Sequence, residues 1–174
     1  LVSASDRCSQ DVSYSKTTPR IILSYDVSDD FMVYGSYSVG YSSGGFNQDV
    51  RMRAFLPEVS DNIEIGFKSD LLENRLRLNA TVFHNIYENQ QVTVGRIVNG
   101  QPTADLINAK EATLIGIEFD VVARLTDDLS LSMTGGYIEG DYDQFTINDN
   151  VIDPATLEES VVERDLSGVE FGNN

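Results

Sequence analysis

The sequence predicts an all-β chain, with about six long antiparallel strands following one another up and down as a segment of a transmembrane β-barrel. Three observations predict it. Apolar and polar residues alternate with a period of two over arm after arm, as in Asn62-Ile63-Glu64-Ile65-Gly66-Phe67-Lys68, which marks strands whose two faces meet different surroundings. The alternation persists for about ten residues or more per arm, against about five or six in soluble domains, and about ten is what a tilted strand needs to cross a bilayer. Short acidic or polar turns also alternate with long connections. Strands running up and down would then gather every short turn at one end and every long loop at the other.

Taken in order, Leu1 to Thr18 is rich in Ser, Asp and Gln and reads as a loop. The first strand is expected over 19–27, with Ile21, Leu23, Tyr25 and Val27 on one face, and Ser28-Asp29-Asp30 turns the chain. The second, 31–42, carries Phe31, Val33, Tyr37, Val39 and Tyr41 on one face and Tyr34, Ser36 and Ser38 on the other. A long connection, Ser42 to Pro57, opens with Ser43-Gly44-Gly45-Phe46-Asn47. Strands over 58–70 and 75–95 form the central hairpin around Leu72-Glu73-Asn74-Arg75. Within the second arm Leu76, Ala80, Phe83 and Tyr87 also fit a helical stripe, but the continuation into Val92-Thr93-Val94 favours a strand. A loop over Gly95 to Pro102 leads to a fifth strand, 104–125, and Thr126-Asp127-Asp128 to a sixth, 129–142. From about Gly140 the chain reads as an acidic loop, with Asp153-Pro154 suited to open a short helix through Val162.

Composition bounds the function. Twelve basic against 28 acidic residues, net charge −16, exclude a nucleic-acid partner, whose phosphates would repel the chain. No apolar run approaches the roughly 18 residues of a transmembrane helix, which says nothing against a barrel whose lumen-facing residues dilute each strand. Cys8 is the sole cysteine, so an internal disulfide and a cysteine metal cluster are both out. Leu1 is no initiator and the N-terminal stretch is polar, so no signal peptide is expected and the chain reads as a fragment.

Several segments, in this order, resemble the C-terminal part of the barrel of TonB-dependent outer-membrane receptors. They are Thr18-Pro19-Arg20 running into Leu23-Ser24-Tyr25, Asp29-Asp30, and Val33-Tyr34-Gly35-Ser36-Tyr37. Gly40-Tyr41-Ser42-Ser43-Gly44-Gly45-Phe46-Asn47, Asn62 to Ser69, Asn74 to Asn79, and Asp165-Leu166-Ser167-Gly168 continue the likeness. The resemblance implies about six strands of a barrel of about 22, with short periplasmic turns and long extracellular loops. It also implies a plug domain and final strands outside this sequence. The implied function is import of a scarce nutrient, most often a ferric siderophore, across the outer membrane of a Gram-negative bacterium. The implied partners are outer-membrane lipid and a TonB-type energy-transducing protein, engaged through an N-terminal region that this sequence lacks. The competing reading is a soluble antiparallel β module, binding or adhesive, with an acidic surface. Val33, Leu78, Ala80, Ile117, Phe119 and Leu131 discriminate the two: they face lipid in a barrel and each other in a sandwich.

Candidate sites are few. Phe46, Arg51 and Arg53, with Phe55 nearby, lie in the long connection after the glycine pair. A cationic and aromatic cluster at a barrel mouth suits an anionic, aromatic-rich iron chelate, although arginines pairing with acidic loops is the plainer account. His84 is the only histidine, and since metal ligands come in sets a place at the membrane interface, close to Tyr87, fits it better than a metal. Asp141, Asp143, Asp149 and Asp153 lack the spacing of a helix-flanked calcium loop and read as solvated. Arg75, Arg77, Glu64, Lys68, Asp70, Glu118, Asp120 and Arg124 share the inferred lumen face, placed to pair across strands or to meet a plug. No catalytic set, metal site or cofactor is expected, and the chain does not read as an enzyme.

Overall fold

In the computed structural model, which describes residues 11–47, 54–98, 101–152 and 159–170, the alternating arms become one six-stranded sheet. The strands are β1 (Arg20–Ser28), β2 (Phe31–Ser42), β3 (Glu58–Leu71), β4 (Leu76–Val98), β5 (Gln101–Arg124) and β6 (Ser130–Gln144), each antiparallel to the next and in sequential order. The helical stripe in β4 is overridden because its backbone pairs on both sides, with β3 from Leu76 to Glu88 and with β5 throughout. The hairpin between β3 and β4 turns on Leu72, Glu73 and Asn74 with φ of 54°, 55° and 62°, closed by the Arg75 N–H donating to the Leu72 carbonyl at 3.1 Å.

Register sorts the side chains into two faces. One row runs Tyr25, Val33, Phe67, Ala80, Phe119 and Gly135; the next runs Leu23, Gly35, Ile65, Val82, Ile117 and Tyr137. This apolar face is uncovered, with Leu23 74%, Ile65 66% and Ile117 45% exposed. A sandwich would bury it against a second sheet, and among the described residues none lies on it.

The opposite face is polar and laced across strands. The Tyr34 hydroxyl donates to Glu64 Oε1 at 2.6 Å and lies 2.8 Å from Thr81 Oγ1, with Lys68 Nζ 5.9 Å from the Tyr34 ring centre. Arg77 Nε reaches Asp70 Oδ1 at 2.7 Å, and Asn79 Nδ2 donates to Asp120 at 3.4 Å. Arg75 donates to the Arg124 and Leu125 carbonyls, tying the short-turn ends of β4 and β5 together. Glycines let aromatics lie flat against the sheet: a Cβ on Gly66 would sit 2.7 Å from both the Tyr34 ring and the Ala80 carbonyl.

Three expectations are corrected at the long-loop end. Most of Gly95 to Pro102 is strand, because β4 runs to Val98 and β5 begins at Gln101; the backbone ladder continues in one register from Gln90–Ala109 to Val98–Gln101 and carries the hairpin past Gly95. Gly140 to Gln144 belongs to β6 instead of an acidic loop. The helix expected through Val162 gives way to a second sheet, β7 (Thr146–Ile152) with β8 (Glu159–Asp165), while Asp153 and Pro154 lie outside the described residues. β-Branched Val161 and Val162 pairing with Asn150 and Asp149 favour the strand.

Candidate functional site

The long-loop end is where the chain builds something beyond a plain wall. Beyond Glu88, β4 has no partner in β3, so Gln90–Val98 and Gln101–Ala109 stand as a two-stranded arm. At about 3.3 Å per residue, the 23 residues of β4 span about 75 Å, far more than a bilayer's hydrocarbon core of about 30 Å. The arm starts at an irregularity. Asn89 adopts φ 54°, and the β5–β6 register shifts between Glu111 and Ala112.

That irregularity changes which side chains face which way. Tyr87, Ala112 and Tyr142 lie opposite one another on the polar face. Val92, Ile107 and Ala109, of the opposite parity, nonetheless join the same cluster. Its centre is Ala109, Ala112, Tyr142 and Phe145, all buried, with the Tyr142 and Phe145 rings 4.9 Å apart. Ile147, Leu166 and Val169 pack against it, so the β7–β8 segment is folded onto the base of the arm. Bulges recur at barrel rims for this purpose, since they redirect side chains where pairing ends. The turn after β8 is held by the Ser167 N–H and hydroxyl, donating to Asp165 Oδ1 at 2.9 and 2.6 Å. Those bonds hold the Asp165 carboxyl below its usual pKa.

The other side of the arm carries the connection after β2. Gly45 and Phe55 form a two-bond antiparallel bridge, at 3.1 and 2.9 Å. Asn47 exchanges two 2.8 Å hydrogen bonds with the backbone of Leu106, and the Leu56 backbone is bonded to Asn108 and Gln91. Of the three expected ligand-contacting residues, Phe46 lies here, 43% exposed, while Arg51 and Arg53 lie outside the described residues. Sequence reasoning missed Asn47, Gln91 and Asn108, since carboxamides among polar neighbours carry no periodic signal.

His84 sits on the apolar face between Ile63 and Ile115. Tyr87 lies on the opposite face, so the expected histidine–tyrosine proximity is not formed. Asp141 and Asp143 are strand residues, Asp143 accepting from the Thr113 hydroxyl at 2.6 Å; Asp149 lies in β7. Among the described residues no three metal-ligating side chains converge.

Residues 3–163 match the family model of the TonB dependent receptor-like β-barrel. The chain belongs to that family. Solved structures similar to this receptor-barrel chain include the ferric yersiniabactin uptake receptor FyuA from Yersinia pestis, with a TM-score of 0.57 and 24% identity over 71% of this chain and 18% of that one. The alcaligin outer membrane receptor FauA from Bordetella pertussis is 20% identical over 86% of this chain and 29% of its own, TM-score 0.45. FpvA of P. aeruginosa, solved with bound pyoverdines, is 15% identical over 85% and 25%, TM-score 0.47. This chain therefore spans about a fifth to a third of the lengths of these receptors. The family consists of outer-membrane receptors, not enzymes, and the fold of this chain is that of such a barrel wall.

Proposed function

We propose that this chain is six consecutive strands of the wall of an outer-membrane receptor that binds and imports a ferric siderophore. Import would be driven by an inner-membrane complex acting through a TonB-type partner. One observation carries the reading: a sequential, open antiparallel sheet whose apolar face has Leu23, Ile65 and Ile117 exposed and no second layer on it among the described residues, while its other face is a polar network. Lipid satisfies the first face at about 25 cal/mol per Å² withdrawn from water, and an aqueous or plugged lumen satisfies the second. Because β1 and β6 do not pair, further strands are needed for closure, and a plug would occupy the lumen face of Glu64, Glu118 and Asp120. On this reading the arm, the 43–57 connection and β7–β8 are extracellular, and Phe46, Arg51 and Arg53 contact the ligand. A ferric chelate suits an exposed aromatic followed by two arginines, through stacking and charge. The soluble acidic module loses support from the same uncovered face.

The test is uptake. Cells carrying the complete receptor, starved of iron, should accumulate radiolabelled iron from a ferric tris-catecholate or tris-hydroxamate, and a receptor deletion should abolish it. The protein should also fractionate with detergent-extracted outer membrane. Unchanged iron accumulation in the deletion strain would overturn the siderophore reading, and a freely soluble protein would overturn the barrel.

A further inference from the structure

Three carboxamides fasten the connection after β2 to the β4–β5 arm, and they do so at both ends of the segment that carries the two arginines. At its start, Asn47 Nδ2 donates to the Leu106 carbonyl and the Leu106 N–H donates to Asn47 Oδ1, both at 2.8 Å. That is the pairing a neighbouring strand would offer β5, supplied by one side chain. At its end, the Leu56 N–H donates to Asn108 Oδ1 at 2.7 Å, and the Leu56 carbonyl accepts from Asn108 Nδ2 at 3.0 Å and from Gln91 Nε2 at 3.2 Å. Gln91 Nε2 also reaches the Ser43 carbonyl at 3.0 Å. Asn108 and Gln91 are themselves fixed: they are cross-strand partners, Asn108 donates to the Asn89 carbonyl at 2.7 Å, and the Gln91 N–H donates to Glu58 Oε2 at 2.7 Å. The Gly45–Phe55 bridge joins the two ends of the segment to each other.

We propose that Asn47, Gln91 and Asn108 are positioning residues that weld the two described ends of the connection after β2, residues 43–47 and 54–57, to the arm, so that Phe46 is presented to the ligand from a fixed base. A carboxamide is suited to this task because it carries a donor and an acceptor side by side, the complement of a peptide group. It is also uncharged. In a chain of net charge −16, a weld made of ion pairs would loosen with salt; this one holds from low to high ionic strength. The ligand part of the proposal rests on the siderophore reading above, whereas the weld does not.

Hydrogen exchange on the complete receptor in detergent separates the two. The amides of Leu56 and Leu106 are expected to be protected equally at low and high salt. Asn108→Ala should speed exchange at Leu56 by about tenfold, the equivalent of one or two net hydrogen bonds. Asn47→Ala should do so at Leu106 and, because the ends are joined, at Leu56 too. Asn108→Asp, which keeps the acceptor for Leu56, should restore part of the protection, and exchange at Ile65 and Ile117 should not change. Unprotected amides in the unaltered receptor, or variants that exchange as it does, overturn the weld. Equilibrium binding of a ferric tris-catecholate and a ferric tris-hydroxamate then reads presentation: whichever binds the unaltered receptor should bind Asn47→Ala and Asn108→Ala about tenfold more weakly. Full affinity in a variant whose loop has loosened overturns presentation. Failure of both probes to bind the unaltered receptor counts against the siderophore reading, and exchange still decides the weld.

Discussion

Ile117 and Glu118 are adjacent in sequence and face opposite worlds. Ile117 lies between Val82 and Tyr137 on the uncovered apolar face, whereas Glu118 lies between Thr81 and Gly136 on the polar one. An arginine facing lipid near the bilayer midplane costs about 2–4 kcal/mol, while lumen substitutions are tolerated. Ile117→Arg should therefore depress the folded yield of the complete barrel in lipid vesicles severely, and Glu118→Arg should not; equal yields would refute the assignment of faces. Gly66 makes a steric prediction at the same scale. Any side chain there collides with the Ala80 carbonyl and with the Tyr34 ring, whose hydroxyl holds Glu64 and Thr81. Gly66→Ala should cost about 1–3 kcal/mol, as overpacking commonly does, measured by urea unfolding.

At the scale of elements, the β3–β4 turn stores strain. Three successive non-glycine residues occupy the left-handed region, at about 1–2 kcal/mol each, with Asn74 the one best suited to it. Glu73→Gly should relieve about 1 kcal/mol, less the extra freedom glycine gives the unfolded chain, and raise the urea midpoint. The turn after β8 makes a prediction about pH. Asp165 is held below its usual pKa first by the Ser167 hydroxyl and then by the Ser167 N–H. A depressed carboxyl stabilises the turn fully above its unfolded pKa, and that contribution fades as pH falls through the lower, folded value. The protection of the Ser167 amide, taken relative to its intrinsic exchange at each pH, should fall on acidification below the ordinary aspartate range, and Asp165→Asn should lose that pH dependence.

For the whole molecule, the open sheet has two long edges, Arg20–Ser28 and Ser130–Gln144. Their unpaired backbone groups recruit other chains, and the uncovered face, with Leu23, Ile65 and Ile117 exposed in one row, is the kind of contiguous apolar patch that soluble monomers rarely carry. Net charge of −16 slows association without pairing a single amide. Residues 1–174 expressed alone without detergent should therefore associate, and light scattering should find species well above 19.3 kDa. A monodisperse monomer with a cooperative melt would overturn the barrel reading.

The barrel wall was legible because a period of two is a local property: Ile63, Ile65 and Phe67 against Asn62, Glu64 and Lys68 declare two faces before any partner is known. Strand limits followed, β2 to the residue, and so did sequential order, since short turns such as Asp29-Asp30 leave a strand no neighbour but the next. The mouth was not legible. Gly95 and Asn99-Gly100 are local stop signals, but β4 and β5 pair through Val98 and Gln101, and pairing outweighs punctuation. Whether Val161 and Val162 extend or coil depended on Asn150 and Asp149 lying opposite. Which parity of the arm meets the Tyr142–Phe145 cluster depended on the irregularity at Asn89 and Glu111. Sequence determined the wall because alternation repeats along the chain; only tertiary structure decided the mouth, because its contacts join residues up to 59 positions apart, as Asn47 and Leu106 are.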